Sequence, residues 1–338
     1  MGGGDHHVEC ASHQHGHRAS TPAVTSRNSN ATAPTNLVPF PPSAISIPLR
    51  LITNNIRYAA TDLFPYECPW PERLPNLLRQ IHHYAVGPFN PPSTILCLQE
   101  VLQSQLDDVA AALGNEWSHV GVGRDDGKEA GEFNPVFFRP GYWVKVHFET
   151  IWLSKTPERP GLGWDAGCNR ICTCLVLRTM LEGSRARRVM ILNTHLDNAG
   201  PIARREGAKL IVKYARLWRE EFKVHGVLLA GDLNSTRDER HGAWEVLNTV
   251  GSRFSDVGRW LKAGDVRHFG DDITFTGFDG NGDDDPPDTL DFVHYGLAED
   301  ETIARANGRL QSYSVVPNLF DDGVRCSDHR AVVVDLLL

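Results

Sequence analysis

The sequence predicts an α/β sandwich, with sheets packed together and helices outside. Nine short apolar runs lie between residues 49 and 338, outnumbering the helical signals. The amphipathic segments fall between those runs, so helices must cover sheets. Four of the runs also carry an acid, amide or imidazole at an end, where Asp and Asn are common only as turn residues.

Taken in chain order, residues 1–46 are rich in Ser, Thr, Asn, Pro, Gly and His and have almost no apolar periodicity. Such a segment cannot bury enough surface to fold, so it reads as a disordered tail ahead of a single domain over 47–338. Its five histidines within the first 17 residues are a weak metal-binding feature at most. Strands are expected over 49–53, 94–101, 135–138, 143–148, 171–178, 188–194, 226–231, 290–295 and 331–338. Leu74, Leu77, Leu78 and Ile81 predict a helix over 72–85. Ile202, Leu210, Ile211, Tyr214, Leu217 and Trp218 predict another over 201–222, and 242–250 is a shorter candidate. The Pro-, Gly- and Asp-rich loops 155–170 and 263–289 are long enough to be functional.

Composition narrows the function classes. Thirty-four basic and 42 acidic residues give a formal charge of −8, so no global basic footprint points to nucleic acid, although a local groove stays open. No apolar stretch reaches the ~18 residues of a membrane span. Residues 1–20 lack the apolar core of a secretory signal, and the expectation is a soluble, intracellular monomer. Cys168, Cys172 and Cys174 lack paired C-x-x-C spacing. Alternation along "RICTCLVLR" puts Cys172 and Cys174 on one strand face as structural thiols, with a disulfide or zinc as alternatives.

The strand ends carry the chemistry. "ILCLQEV" presents Glu100, "MILNTHLDN" presents His195 and Asp197, "VLLAGDLNS" presents Asp232 and Asn234, and "TLDFVHYG" presents Asp291. Asp232 and Asn234, two apart, share one face. In "RCSDHRAVVVDL", Ser327, Asp328 and His329 precede a run of valines that must be a buried strand. Any one of these reads as an ordinary turn; their recurrence reads as a site.

Together with Asn55 of "LITNNIR", these blocks occur in an order that resembles the endonuclease/exonuclease/phosphatase superfamily, the deoxyribonuclease I-like proteins, over about residues 49–338. The resemblance implies a four-layered α/β sandwich, two mixed sheets face to face and flanked by helices. It further implies Mg²⁺- or Mn²⁺-dependent hydrolysis of phosphodiesters by in-line attack of an activated water. The first reading is a nuclease acting on DNA or RNA. The alternative is a phosphatase or sphingomyelinase-like phosphodiesterase acting on a small phosphoester. A catalytically dead binding protein would lack site residues, and none of the blocks is missing.

On that resemblance Glu100 is the main metal ligand, assisted by Asn55 and by Asp328 directly or through water. Asp232 orients or deprotonates the attacking water, and Asn234 fixes Asp232 or the phosphate. Asp291 pairs with His329, and Glu132 of "GEFNPVFFRP" pairs with His195. A carboxylate partner favours the charged imidazole, so both histidines are expected as cations that stabilise phosphate charge. Substrate contacts are expected from Asp197, from Arg170 as a phosphate clamp, and from Trp164 stacking on a flat group. The bland readings are a surface ion pair for Arg170 and a loop pin for Trp164. Arg57, Arg170, Arg204, Arg237 and Arg325 could form a short track touching two to four phosphates. Asn54 and Asn198 depart from the family pattern where an aromatic residue and a histidine are usual. The run 279–288 mimics half a calcium loop but has Asp284 where that loop needs Gly and Leu290 where it needs Glu, so it reads as a solvated acidic loop.

Overall fold

Strand order follows from which apolar runs can be buried on both faces. The computed structural model describes residues 46–181, 183–279 and 286–338. The tail expected over 1–46 therefore lies, except for Ser46, outside the described residues, as does most of the acidic run 279–288.

The strands are β1 (Pro48–Asn55), β2 (Ile95–Gln99), β3 (Ser118–Val120), β4 (Val136–Phe138), β5 (Trp143–Trp152), β6 (Ile171–Thr179) and β7 (Arg188–His195). They continue as β8 (Gly226–Asp232), β9 (Phe254–Asp256), β10 (His268–Gly270), β11 (Asp291–Gly296), β12 (Leu310–Val316) and β13 (Ala331–Leu337). Helices are α1 (Trp70–Ile81), α2 (Gln103–Leu113), α3 (Pro201–Phe222), α4 (Ala243–Leu247) and α5 (Ile303–Asn307). One sheet has seven strands in the order β10-β12-β13-β1-β2-β4-β3. The other has six, β5-β6-β7-β8-β11-β9.

Side-chain alternation then builds four layers. Leu51, Cys97, Val332 and Val334 of the first sheet meet Leu175, Ile191, Leu228 and Val293 of the second in the central core. Their neighbours face outward: Cys172, Cys174, Met190 and Leu192 pack under Ile211, Ala215 and Trp218 of α3. Ile52, Leu96, Leu98 and Val333 pack under Leu77 and Ile81 of α1 and Leu106 and Val109 of α2. The predicted α/β sandwich of two mixed sheets flanked by helices is the observed fold. The six described cysteines are free thiols; Cys97, Cys172, Cys174 and Cys326 are buried. No helix among the described residues is long and apolar enough to cross a membrane.

The differences from the sequence reading have physical causes. The helix predicted over 72–85 begins at Trp70, with Pro71 in its first turn, and widens into a π-helical turn over His82–Val86. Its buried face is rotated: Arg73, Asn76 and Gln80 go inward with Leu77 and Ile81, while Leu74 and Leu78 are only half-buried. Helix α2 was not anticipated although Leu106, Val109 and Leu113 have helical spacing, because its alanines dilute the apolar signal. β12 escaped because polar residues interrupt its run, and β3, β9 and β10 are three-residue strands too short for periodicity.

Candidate active site

Pairing directions bring the polar residues to one edge. β1 runs parallel to β2, and β13 runs antiparallel to β1, so Asn55, Glu100 and the 327–329 turn meet where β1 and β2 end and β13 begins. In the other sheet β7 and β8 are parallel and β6 and β11 antiparallel to them. Register sets His195 opposite Asp232 and Asp232 opposite Asp291, with Arg170 just before β6. Gly231 (φ 140°) makes this approach possible, because a Cβ there would overlap the Thr194 carbonyl.

Asn55, Glu100 and Asp328 form an oxygen-rich group. Asn55 Nδ2 donates to Glu100 Oε1 at 2.9 Å and to Asp232 Oδ2 at 3.0 Å, while its Oδ1 accepts from the Arg57 amide at 2.9 Å. Glu100 sits in the left-handed region (φ 59°), where a non-glycine residue carries about 1–3 kcal/mol of strain, and its Oε2 accepts from the Tyr58 amide at 3.2 Å. Asp328 is buried, with one oxygen accepting from Ser327 Oγ at 3.2 Å. Burial first, and then the Glu100 charge, holds its carboxyl above the usual range. Burial and the charge of Glu100 push Glu132 up to about 7, and burial and Asp291 push Asp232 up to about 7. Negative charge is thus concentrated away from water, in a hard-oxygen donor set that suits a divalent cation.

A second group joins an imidazole to two carboxylates. His329 Nδ1 lies 2.7 Å from Asp291 Oδ2, and its Nε2 is 3.8 Å from Asp232 Oδ2. Despite burial, the charges of Asp291 and Asp232 and the Asp291 hydrogen bond hold the His329 imidazole well above its ordinary range. Asp232, Asp291 and His329 are also a grouping whose potential ligand atoms lie within 4.8 Å of one another. A protonated His329 has no lone pair to give, whereas the oxygens of Asn55, Glu100 and Asp328 keep theirs for a cation.

The second imidazole corrects an expectation. His195 Nδ1 is 3.7 Å from Glu132 Oε2, but that carboxylate is held by Arg124 Nη1 at 2.7 Å. Burial, with Arg170, Arg124 and His329 nearby, holds His195 well below its ordinary range, so it is neutral rather than cationic. Asn234 Nδ2 donates to His195 Nε2 at 2.9 Å and to the Leu196 carbonyl at 3.0 Å, which assigns the Nε2 lone pair to Asn234. The Asn234 amide in turn donates to Asp232 Oδ1 at 2.8 Å.

These groups line a pocket of about 950 Å³, together with Arg57, Tyr58, Phe64, Arg124, Arg170, Arg204, Phe275 and Asp288. The loops 155–170 and 263–289 each contribute residues to it. Asp197 and Trp164 are not in its wall. Asp197 is buried, with its oxygens accepting from the amides of Gly167, Cys168, Ala199 and Gly200 and from Arg170 Nε, so it stands behind Arg170 instead of meeting substrate. Asn198 does line the pocket and accepts from Arg170 Nη2 at 3.0 Å. Of the five arginines proposed as a phosphate track, Arg57, Arg170 and Arg204 reach the pocket. Arg237 is turned to Asp256 and the Phe292 ring, and Arg325 to the Phe278 carbonyl and Asn318. Arg124, which the sequence reading passed over, lines the pocket from the Gly-rich loop preceding Glu132. The same reading missed Arg73, whose signal was an arginine four residues before Leu77 on the inward stripe of α1.

No protein-family model matches the chain, and no curated protein matches it. Solved structures do. An endonuclease/exonuclease/phosphatase from Bacteroides vulgatus is 28% identical with a TM-score of 0.67, covering 86% of this chain and 98% of that one. An endonuclease/exonuclease/phosphatase family protein from Bacteroides thetaiotaomicron is 24% identical with a TM-score of 0.70, covering 88% and 97%. A mannosyl-6-phosphatase from the same species is 24% identical with a TM-score of 0.68, covering 86% and 100%. The fold, the ordered sequence blocks and the Bacteroides vulgatus likeness agree: the chain has the fold of the endonuclease/exonuclease/phosphatase, deoxyribonuclease I-like proteins and is similar to them.

Proposed function

We propose that the protein hydrolyses a small phosphoester with the help of a divalent cation, Mg²⁺ or Mn²⁺. The observation that carries the hydrolytic reading is Asp232, whose one carboxylate touches both groups: Asn55 at 3.0 Å on the ligand side and His329 at 3.8 Å on the proton side. Glu100, Asn55 and Asp328 would hold the cation, whose charge, when bound, polarises a phosphate oxygen. Asp232 orients the attacking water and takes its proton, a task suited to a carboxylate raised to about 7. Asn234 holds that carboxylate in place through its amide. The His329 imidazolium, oriented by Asp291, offers an N–H to phosphate oxygens as charge builds there. Neutral His195 keeps Asn234 aimed.

The small-substrate reading rests on the arginines. Each one in the pocket wall already has a carboxylate partner: Arg57 with Glu67, Arg124 with Glu132, Arg170 with Asp197 and Arg204 with Glu239. A polynucleotide needs several uncommitted cations along its backbone, whereas these four surround a pocket whose size falls in the range of small-ligand sites. The test is turnover by one purified sample with Mg²⁺ or Mn²⁺. Nitrophenyl phosphate, hexose phosphates and bis-nitrophenyl phosphate would be compared with single- and double-stranded DNA and RNA. Small phosphoesters should turn over while oligonucleotides stay intact. Cleavage of oligonucleotides, with binding that falls with salt at a log–log slope between about −1.5 and −3.5, would return the assignment to a nuclease.

A further inference from the structure

We propose that Arg73 is a positioning residue that sets the geometry of Asn55, Glu100 and Asp328, and through them the affinity for the cation. The inference rests on reading those three residues as ligands. Arg73 is fully buried, and its nearest carboxylate contact is Glu67 at 3.9 Å, too long for a hydrogen bond. Its guanidinium is solvated by backbone instead. Nε donates to the Cys68 carbonyl at 3.0 Å, Nη1 to those of Ile56 and Cys326 at 2.9 Å each, and Nη2 to those of Arg57 and Tyr58 at 3.1 and 3.3 Å. All five donors of the planar fork are used, on three segments distant in sequence.

Two of those segments end at the ligands. The turn 56–58 points its carbonyls at Arg73 and two of its amides the other way, Arg57 N–H to Asn55 Oδ1 and Tyr58 N–H to Glu100 Oε2. Arg57 takes a left-handed conformation there (φ 56°), so the turn needs something to hold it. On the other side Cys326 precedes Ser327, whose Oγ contacts the Asn55 carbonyl at 2.6 Å and Asp328 Oδ1 at 3.2 Å. One guanidinium therefore clamps the exit of β1 to the entrance of β13. A buried charge is a poor way to gain stability, and an apolar side chain of similar volume would fill the space. What only the fork supplies is a fixed spacing between five carbonyls.

The test measures Mn²⁺ binding to the whole protein without substrate, by electron paramagnetic resonance titration, alongside thermal unfolding. Arg73→Lys keeps the charge but replaces the fork with a single donor atom. Loss of a group that orients ligands lowers metal affinity by about 10–100-fold, and that is the drop expected here, with excess metal restoring much of the turnover. The control is Arg50→Lys at the opposite end of β1, where Arg50 binds Asp335 through two bonds of 2.7 and 2.8 Å. It should lower the melting temperature and leave Mn²⁺ affinity unchanged. If Arg73→Lys melts lower but binds Mn²⁺ within about twofold of wild type, well short of that loss, Arg73 is merely structural and the proposal is wrong. Should Arg73→Lys not fold, Ser327→Ala decides, because it cuts the path from Cys326 to Asn55 and Asp328; unchanged Mn²⁺ affinity there overturns the proposal. Glu100→Gln separates the premise, since equal Mn²⁺ binding by it and wild type would overturn the ligand assignment and the proposal with it.

Discussion

The two sheets bring unlike chemistry to the same edge. The seven-stranded sheet supplies Asn55, Glu100, Glu132, Asp328 and His329; the six-stranded sheet supplies Arg170, His195, Asp232, Asn234 and Asp291. The three proposed oxygen ligands, Asn55, Glu100 and Asp328, thus come from the first, and Asp232, proposed to activate water, from the second. The close contacts cross the boundary: Asn55 to Asp232 at 3.0 Å, His329 to Asp291 at 2.7 Å and His195 to Glu132 at 3.7 Å. Neither sheet carries a complete site, so function depends on how the two pack. The central core, apolar throughout, fixes the spacing that the polar edge then uses.

Emptying the proposed ligand half should have the largest effect. Chelation of divalent metal, or Glu100→Gln, should abolish turnover while the thermal unfolding midpoint barely moves, because Glu100 is an edge residue outside the apolar core. Full activity in excess chelator would contradict the division into halves. Asp232→Asn attacks the other half. It keeps shape and removes the basic oxygen, so kcat should fall by ~10²–10⁴-fold with Mn²⁺ binding retained. Parallel loss of Mn²⁺ binding would make Asp232 a ligand instead.

The cross-boundary pair gives the next effect. Asp291→Ala and His329→Ala should each cost a large factor in kcat, and the double variant should cost little more than the worse single one, as for groups acting as a unit. Multiplying losses would show that the 2.7 Å contact has no catalytic role.

The smallest effect lies three residues along β11. His294 is buried mid-strand and accepts from Asn248 at 3.0 Å; burial lowers it to about 4. Between pH 6.5 and about 4 the unfolded chain binds a proton that the folded chain excludes, so stability falls as pH drops through that window. The loss is on the order of 3 kcal/mol across it. Denaturant unfolding of His294→Gln should show a shallower loss than wild type over the same range, and an identical slope would count against a neutral buried His294.

Much of the fold was legible because strands buried on both faces read as near-continuous apolar runs. β2, β7, β8 and β13 are of that kind. α2 and β12 were not legible, since alanines and alternating polar residues give weak periodicity. The polar ends of those runs announced most of the residues now found together at the pocket. Asp197 carried the same signal and has a different place, because a carboxylate beside a loop is as well satisfied by four amides and an arginine as by a ligand.

The layers, the edge at which chemistry is gathered and the likeness to the superfamily were all legible in the residues, because strand period and residue type are local properties. Packing alone sets His195 well below the ordinary imidazole range and His329 well above it. Both imidazoles are buried, and the difference lies in their neighbours: the guanidiniums of Arg170 and Arg124 near His195, against the carboxylates of Asp291 and Asp232 near His329. Only the tertiary structure revealed Arg73 as well. An arginine on an amphipathic helix ordinarily faces water, and no local pattern encodes the five carbonyls from three separate segments that make burying this one possible.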